Sequence, residues 1–436
     1  MNATPSLRYS EQAPAPLGSP QRCRVALLGF GTVGRSVATI LQGDSYPHLR
    51  LEWIYNRRVD RKRVPWVSPR VCWTDDVEEV LASEVDVVLE LAGGIEPAYS
   101  WVKRALLLGK SVVTANKQLI AAHGPELLDL ARQQGCRLEF GGAVGGGVPV
   151  LCGVSSGLSG DRLLKLCGIL NGTCNYILHA MESRRVTLEA ALAEAQQRGY
   201  AEADPSDDVD GLDARAKLAI LVRSGFHLQV APEQIATQSV RRVQPADFRY
   251  ARELGCTIRQ VARAELRAGA LLAEAGPALV SANSPLGSAR NNQNVLITTG
   301  KYGGETVFSG AGAGGAPTAV AVVSDLLAVA DFRPAAVPGP ELVAAPADND
   351  FQCRHYVRVM PSGARDAVAA LRRVLTEGGV SLRGLLHHPD PKDRLPSLAL
   401  VVEECSTHSL ERALQQARAA GLLAEEPLRM PMVTSS

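Results

Sequence analysis

The sequence predicts an α/β protein: a doubly wound parallel sheet, then an α+β domain, then a small C-terminal βαββαβ unit. Three observations lead there. The chain has 436 residues, which at roughly 150 residues per domain implies two or three compact domains. Short apolar runs alternate with helical periodicity between residues 24 and 140, as expected of parallel strands joined by helices. Two glycine-rich stretches, at 141–149 and 310–317, and prolines at 334, 338 and 340 interrupt the chain where regular elements cannot continue.

Residues 1–22 are rich in Pro, Ala and Ser without an apolar signal core, so they read as a flexible tail. Residues 24–28 form the first strand, a Gly-rich turn follows, and 33–41 have helical spacing. Further strands are expected at 51–55, 85–91, 111–114 and 137–140, with helices at 101–108 and 125–133. The first domain therefore spans 23–148. In the second, 149–317, a strand at 163–170 ends at an Asn171-Gly172 turn. Helices at 187–198 and 212–224 and strands at 259–266, 279–281 and 295–299 complete it. A helix over 318–332 is expected to pack back on the first domain, and 333–349 reads as a linker. Within 350–436 the order is strand, helix (364–376), strand (381–387), strand (397–402), helix (410–420), strand, a ferredoxin-like unit.

Lys plus Arg number 46 and Asp plus Glu 45, a net charge of +1. No strong field draws the protein to nucleic acid or to an anionic membrane. Hydrophobic residues make up 46% and charged residues 21%, enough to bury sizeable cores. No apolar run approaches the roughly 20 residues that span a bilayer. The nine cysteines include no C-x-x-C pair and the eight histidines no metal-ligand spacing, which suits a reducing cytoplasm and excludes metal catalysis.

Gly29-Phe30-Gly31-Thr32-Val33-Gly34 lies between a strand and a helix, where glycines let a backbone approach a pyrophosphate at a helix N-terminus. This is a Rossmann-type dinucleotide fingerprint. The second strand ends in Asn56-Arg57-Arg58, with Arg61, Lys62 and Arg63 after it and no carboxylate for ribose hydroxyls. Guanidinium groups bind a 2′-phosphate bidentately, so NADP(H) is the expected cofactor and NAD(H) the alternative. Asp213 and Lys217 stand four apart on a helix whose remaining residues are mostly apolar, which suggests a partly buried pair rather than a surface one. A lysine with a lowered pKa beside carboxylates suits general acid/base work on a carbinol proton. The segment before it carries Glu202, Asp204, Asp207, Asp208 and Asp210, more carboxylates than a helix cap needs, and could hold a substrate ammonium. Lys117 follows a strand whose end lines the nucleotide crevice.

Taken together these blocks resemble the homoserine dehydrogenase family over nearly the full length. The segment from Gly199-Tyr200 through Asp213 to Lys217 is similar to the family pattern G-Y-x-E-x-D-P-x-x-D-x-x-G-x-D-x-x-x-K, and 85–97, 114–117, 170–177 and 312–318 resemble further blocks in the family's order. The resemblance implies reversible oxidation of L-homoserine to L-aspartate 4-semialdehyde with NAD(P), on the route to threonine, methionine and isoleucine, by a homodimer or homotetramer. It also implies Lys217 as acid/base with Asp213 as partner, Glu202 and Asp208 at the substrate amino group, and Lys117 near substrate and cofactor. Gly199, Gly312 and Gly314 would touch cofactor or substrate, and Arg57 the 2′-phosphate. A monovalent cation, Na+ or K+, would sit on the carbonyls of Val144, Gly146 and Val148, although the family's glutamate is replaced by Gly141. The C-terminal unit resembles an ACT domain, which implies a threonine effector or an assembly role; its loop, Val359-Met360-Pro361-Ser362-Gly363, lacks the usual acidic residue. A catalytically idle amino-acid sensor on the same fold is the alternative function, and its sign would be loss of Asp213 or Lys217.

Overall fold

The computed structural model describes residues 22–331, 342–363, 366–387 and 397–433. Residues 1–21 of the tail, the three linker prolines and the expected helix start at Ala364 lie outside these described residues.

The first domain runs β1 (Cys23–Leu28), α1 (Thr32–Leu41), β2 (Leu49–Tyr55), the one-turn α2 (Val59–Lys62), β3 (Cys72–Thr74), α3 (Val77–Ala82), β4 (Val87–Glu90), α4 (Ala98–Leu107), β5 (Ser111–Thr114), α5 (Lys117–Gln133) and β6 (Leu138–Glu139). The strands pair in parallel in the order β3-β2-β1-β4-β5-β6. The order reverses between β1 and β4, and the crevice at such a reversal is where open α/β sheets bind ligands. Every residue of β4 is buried, as expected of a strand covered by helices on both faces. Helix α5 begins at Lys117, eight residues before its predicted start, with Pro125 inside it. Asn116 sets that start: its side chain accepts the Leu119 N–H at 3.1 Å, satisfying one of the free donors of the first turn.

The second domain runs α6 (Val150–Cys152), β7 (Leu163–Ile169), α7 (Gly172–Arg184), α8 (Leu188–Gln197), α9 (Ser206–Val209), α10 (Leu212–Phe226), β8 (Leu228–Gln229), β9 (Ala236–Thr237), α11 (Pro245–Glu253), β10 (Cys256–Arg267), β11 (Ala270–Ser281), β12 (Gln293–Gly300) and β13 (Gly304–Ala311). Asn171-Gly172 is not a turn. Asn171 caps α7, accepting the Cys174 N–H at 2.7 Å. The short strand expected at 279–281 is the end of a twelve-residue strand, β11, in a hairpin with β10. Ala268 and Gly269 connect the two strands with positive φ at both positions, the two-residue loop whose twist suits a hairpin. The alanines, glycine and proline of β11 gave too little apolar alternation to mark it.

Helix α12 (Gly315–Ala330) returns to the first domain. Its Val322, Leu326 and Val329 share a buried cluster with Val37, Leu41 and Val25. The chain continues through β14 (Val343–Ala344), β15 (Ala347–Asp348), β16 (Gln352–Val359), α13 (Ala367–Glu377), β17 (Leu382–Leu386), β18 (Leu398–Ser406), α14 (Thr407–Ala419) and β19 (Leu428–Val433). These last strands are ordered β19-β16-β18-β17. β14 pairs with β8, β15 with β11, and β19 runs parallel to β11 through Leu279–Met432 and Val280–Val433. Residues 343–344 and 347–348 of the expected linker are thus tied into sheets, and the C-terminal sheet extends that of the second domain.

Candidate active site

The turn after β1 is shaped by close backbone approach. Gly29 has φ +105°, and a Cβ there would lie 2.7 Å from the Leu91 carbonyl oxygen; at Gly34 it would lie 2.2 Å from that of Gly29. Gly31 differs, because its Cβ would meet no protein atom within 4 Å. It caps α1 with no side-chain hydrogen bond, which leaves the helix N-terminus open toward a phosphate. Thr32 is exposed and Val33 half-buried. The Phe30 ring is fully buried among Trp66 and Trp73, so only its backbone faces the crevice. Beyond β2, Arg57, Arg58, Arg61 and Arg63 line a surface hollow with Trp73, and Asp60, Asp75 and Glu79 share its wall. Glu90, at the end of β4, is fully buried: it accepts the Thr114 hydroxyl at 2.6 Å and the N–H groups of Ala92 and Gly93 at 2.9 and 3.1 Å. It fixes the loop opposite the glycine turn.

A charge cluster lies where α5 of the first domain meets α10 of the second. The Asp213 side chain is 1% exposed. It pairs with Lys217 at 2.7 Å through Oδ2 and with Lys117 through Oδ1. Lys217 also donates to the Leu170 carbonyl at 2.7 Å. Asn171, 3% exposed, donates from one amide nitrogen to Asp208 at 2.6 Å and to Asp213 at 2.8 Å. Burial pulls Lys217 below the usual lysine range, with Asp213 opposing that shift. Burial acts the same way on Lys117, but Asp213 outweighs it and Lys117 ends above the usual range. Burial raises Asp208. For Asp213 itself burial is outweighed by the two ammonium groups, which hold it well below the usual carboxylate range. The site thus shifts its two lysines in opposite directions, Lys217 toward easier loss of its proton and Lys117 toward keeping it.

The chain as a whole has known relatives. The family model "Homoserine dehydrogenase" matches residues 149–327, and "Homoserine dehydrogenase, NAD binding domain" matches 29–141. A homoserine dehydrogenase of Bacillus subtilis is 34% identical over 406 residues, 90% of this chain and 94% of that protein. The chain belongs to the homoserine dehydrogenase family. Among solved structures, a homoserine dehydrogenase from Thiobacillus denitrificans superposes with a TM-score of 0.88 at 29% identity, covering 95% of this chain and 99% of that one. A hyperthermophilic archaeal homoserine dehydrogenase in complex with NADPH gives a TM-score of 0.61 at 26% identity over 71% and 98% of the two chains. Among the described residues no helix is long and apolar enough to cross a membrane.

The acidic segment expected to act together divides its work. Asp210 pairs with Arg241 at 2.8 Å and accepts the Ser239 hydroxyl at 2.6 Å. Asp204 accepts the Ser206 N–H at 3.0 Å and opens α9. Asp207 is exposed. Only Asp208 is joined to the lysine cluster, through Asn171. Glu202 is exposed, and its backbone carbonyl accepts from Gln196 at 3.0 Å; no hydrogen bond joins its carboxylate to the cluster among the described residues. Gly199 has φ +73° in the loop leading to it. Gly312 and Gly314 immediately precede α12, and Gly312 packs on Asn294. Sequence reasoning missed Asn171, Glu90 and Asn294, which donates to the Leu170 carbonyl at 3.3 Å. The Asn171 cap was the detectable signal, since Asn before a helical run is a start signal.

Gly141 has a specific reason to lack a side chain. A Cβ there would lie 2.6 Å from an Asp325 carboxylate oxygen. Asp325, on α12, accepts the Gly141 N–H at 2.6 Å. Burial first, then Glu139, push Asp325 up to about 7. An acid with a raised folded-state pKa contributes stability below its unfolded pKa and loses that contribution as pH rises through the folded one. Urea unfolding should therefore show stability falling between pH about 4 and about 7, and Asp325→Asn should flatten that slope.

Proposed function

We propose that the chain interconverts L-homoserine and L-aspartate 4-semialdehyde, with Lys217 as the proton-transferring group and NADP(H) preferred to NAD(H). The observation that carries this is the buried Lys117–Asp213–Lys217 cluster at the junction of a dinucleotide-binding domain and a second domain. A nicotinamide bound there would supply the hydride-transfer chemistry at the carbinol carbon. Neutral Lys217 takes the hydroxyl proton in the oxidative direction, and its ammonium returns it in reduction. Asp213 holds both lysines in place, and Asn171 holds Asp213. Lys117, which keeps its charge, stabilises negative charge developing on the substrate oxygen. Asp208 and Glu202 receive the substrate ammonium in this account, Glu202 after its exposed loop moves inward.

The cofactor fits the residues present: the space beside Gly31 and the open N-terminus of α1 suit a pyrophosphate. Gly199, Gly312 and Gly314 would border cofactor or substrate. Arg57, in its basic hollow, would hold the 2′-phosphate. Arg57→Ala should raise the Kd for NADPH about tenfold or more, the scale of a charge-assisted hydrogen bond, and leave that for NADH nearly unchanged in fluorescence titrations. Equal weakening of both would remove Arg57 from the 2′-phosphate site.

A monovalent cation does not fit the chain as well. Asp325 fills the space of a side chain at Gly141 and is already engaged with its N–H. The Val148 carbonyl accepts the Val150 N–H at 2.7 Å, so it is the Val144 and Gly146 carbonyls that would be left to hold an ion. No step above depends on an ion. We also propose a homodimer or homotetramer, supported by the open edge at β13 with Val307 exposed, and a cytoplasmic location, supported by nine free cysteines. The C-terminal unit, whose βαββαβ order supports an ACT-like reading, would bind a threonine effector or serve assembly. Its loop is tied down by backbone bonds from Ser362 to Leu422 and from Ala424 to Met360. Titration calorimetry with threonine separates the two roles.

A further inference from the structure

Two of the nine cysteines face each other across a sheet. Cys353 lies at the start of β16 and Cys405 at the end of β18, and the antiparallel register pairs them directly. Residues so opposed have Cα atoms about 4.5 or 5.5 Å apart, and disulfides join Cα atoms about 4.4–6.8 Å apart. Their side chains share one face of the sheet. A bulge between Cys353 and His355 gives this end of β16 room to bend. No other two cysteines are opposed in a described ladder.

The two thiols have different surroundings. Cys353 is half-buried, and its Sγ receives an Arg263 N–H at 3.5 Å and lies 3.6 Å from His355 Nε2. Cys405 is buried against the C-terminal core. We propose that Cys353 and Cys405 form a reversible cross-strand dithiol–disulfide pair, with a low-molecular-weight disulfide such as glutathione disulfide as oxidant. Cys353 is the entry thiol because it is the more accessible and because a guanidinium hydrogen bond favours its thiolate. Burial raises both thiols, Cys405 to about 11, so exchange is slow at neutral pH and quickens as pH rises.

The thiolate of Cys353 attacks one sulfur of glutathione disulfide; the oxidant's S–S bond breaks and one glutathione thiolate leaves. The deprotonated Cys405 then attacks Sγ of Cys353, closing the new S–S bond and expelling the second glutathione. The protein loses two electrons and two protons, and the oxidant becomes two glutathione thiols. Closure draws Sγ of Cys353 away from Arg263, whose guanidinium also pairs with Glu274 of β11 at 2.6 Å and lies 3.9 Å over the Phe351 ring. The oxidation state is therefore felt where the C-terminal sheet joins the second domain.

The test incubates the full-length protein with glutathione disulfide, alkylates remaining thiols without denaturing, digests it and weighs the peptides. The expected product is a linked peptide pair containing Cys353 and Cys405, which disappears after dithiothreitol. In Cys405→Ser, Cys353 should instead stop as the glutathione mixed disulfide, with turnover unchanged because neither cysteine belongs to the lysine cluster. The pair is overturned if both cysteines stay free while the exposed Cys72 and Cys152 become glutathionylated. It is equally overturned if wild-type Cys353 retains glutathione without passing it to Cys405. The wild-type result decides the matter even if the variant fails to fold.

Discussion

Replacing Lys217 with Ala lowers kcat for homoserine oxidation by about a thousandfold or more, the range for removing a positioned general base, while NADPH binds as before. The separation follows from the fold, because the glycine turn and Arg57 belong to the first domain and Lys217 to α10 of the second. Steady-state kinetics beside a nucleotide titration measures both quantities. Lys217→Arg is the informative companion: it keeps a cation near Asp213 but cannot lose its proton near neutrality, so it should be nearly as inactive as the alanine variant. In the wild type, burial lowers the lysine's pKa, so kcat for oxidation should rise with pH through a step below the ordinary lysine range. That step should vanish in residual Lys217→Arg activity. Unchanged turnover in Lys217→Ala would remove the residue from the mechanism.

Asp213→Ala should be the most damaging change to stability in the site. It removes a carboxylate that is 1% exposed and leaves the 12% exposed Lys217 side chain facing another ammonium. Breaking a buried pair by removing one partner costs about 3–5 kcal/mol, read as a shift of the urea midpoint. Lys117, 36% exposed, is partly screened by solvent and adds little to that figure. The double variant Asp213→Ala, Lys217→Met should recover much of the stability and none of the activity. This distinguishes an uncompensated charge from a packing defect, since a packing defect would persist in the double variant. Asp213 also has a pH signature: its depressed folded-state pKa gives stability that is present above the ordinary aspartate range and lost as pH falls toward the folded value.

The parts of this protein legible in its sequence were those with strong local periodicity or local chemistry. The strands β1, β2, β4 and β5 are short apolar runs, and α10 carries Asp213 and Lys217 at a spacing that only a helix turns into a contact. The sequence did not reveal long-range pairing. β11 hides its length in alanine, glycine and proline, and its neighbours β15 and β19 come from far along the chain. Asn171 looked like a turn because Asn-Gly usually marks one, yet it caps α7 and joins two carboxylates. The five carboxylates before α10 looked like one group; Arg241, brought in by tertiary structure, claims Asp210, while the nearby Ser206 N–H holds Asp204 in a local turn. Gly141 looked like a lost ligand, and the reason lies 184 residues away in Asp325.

The most direct test follows the absorbance of reduced nicotinamide with purified protein, L-homoserine and either NADP+ or NAD+. Turnover is expected with both cofactors, faster at low concentration with NADP+, and about a thousandfold less in Lys217→Ala. No turnover with either cofactor, from folded protein that still binds NADPH, would contradict it.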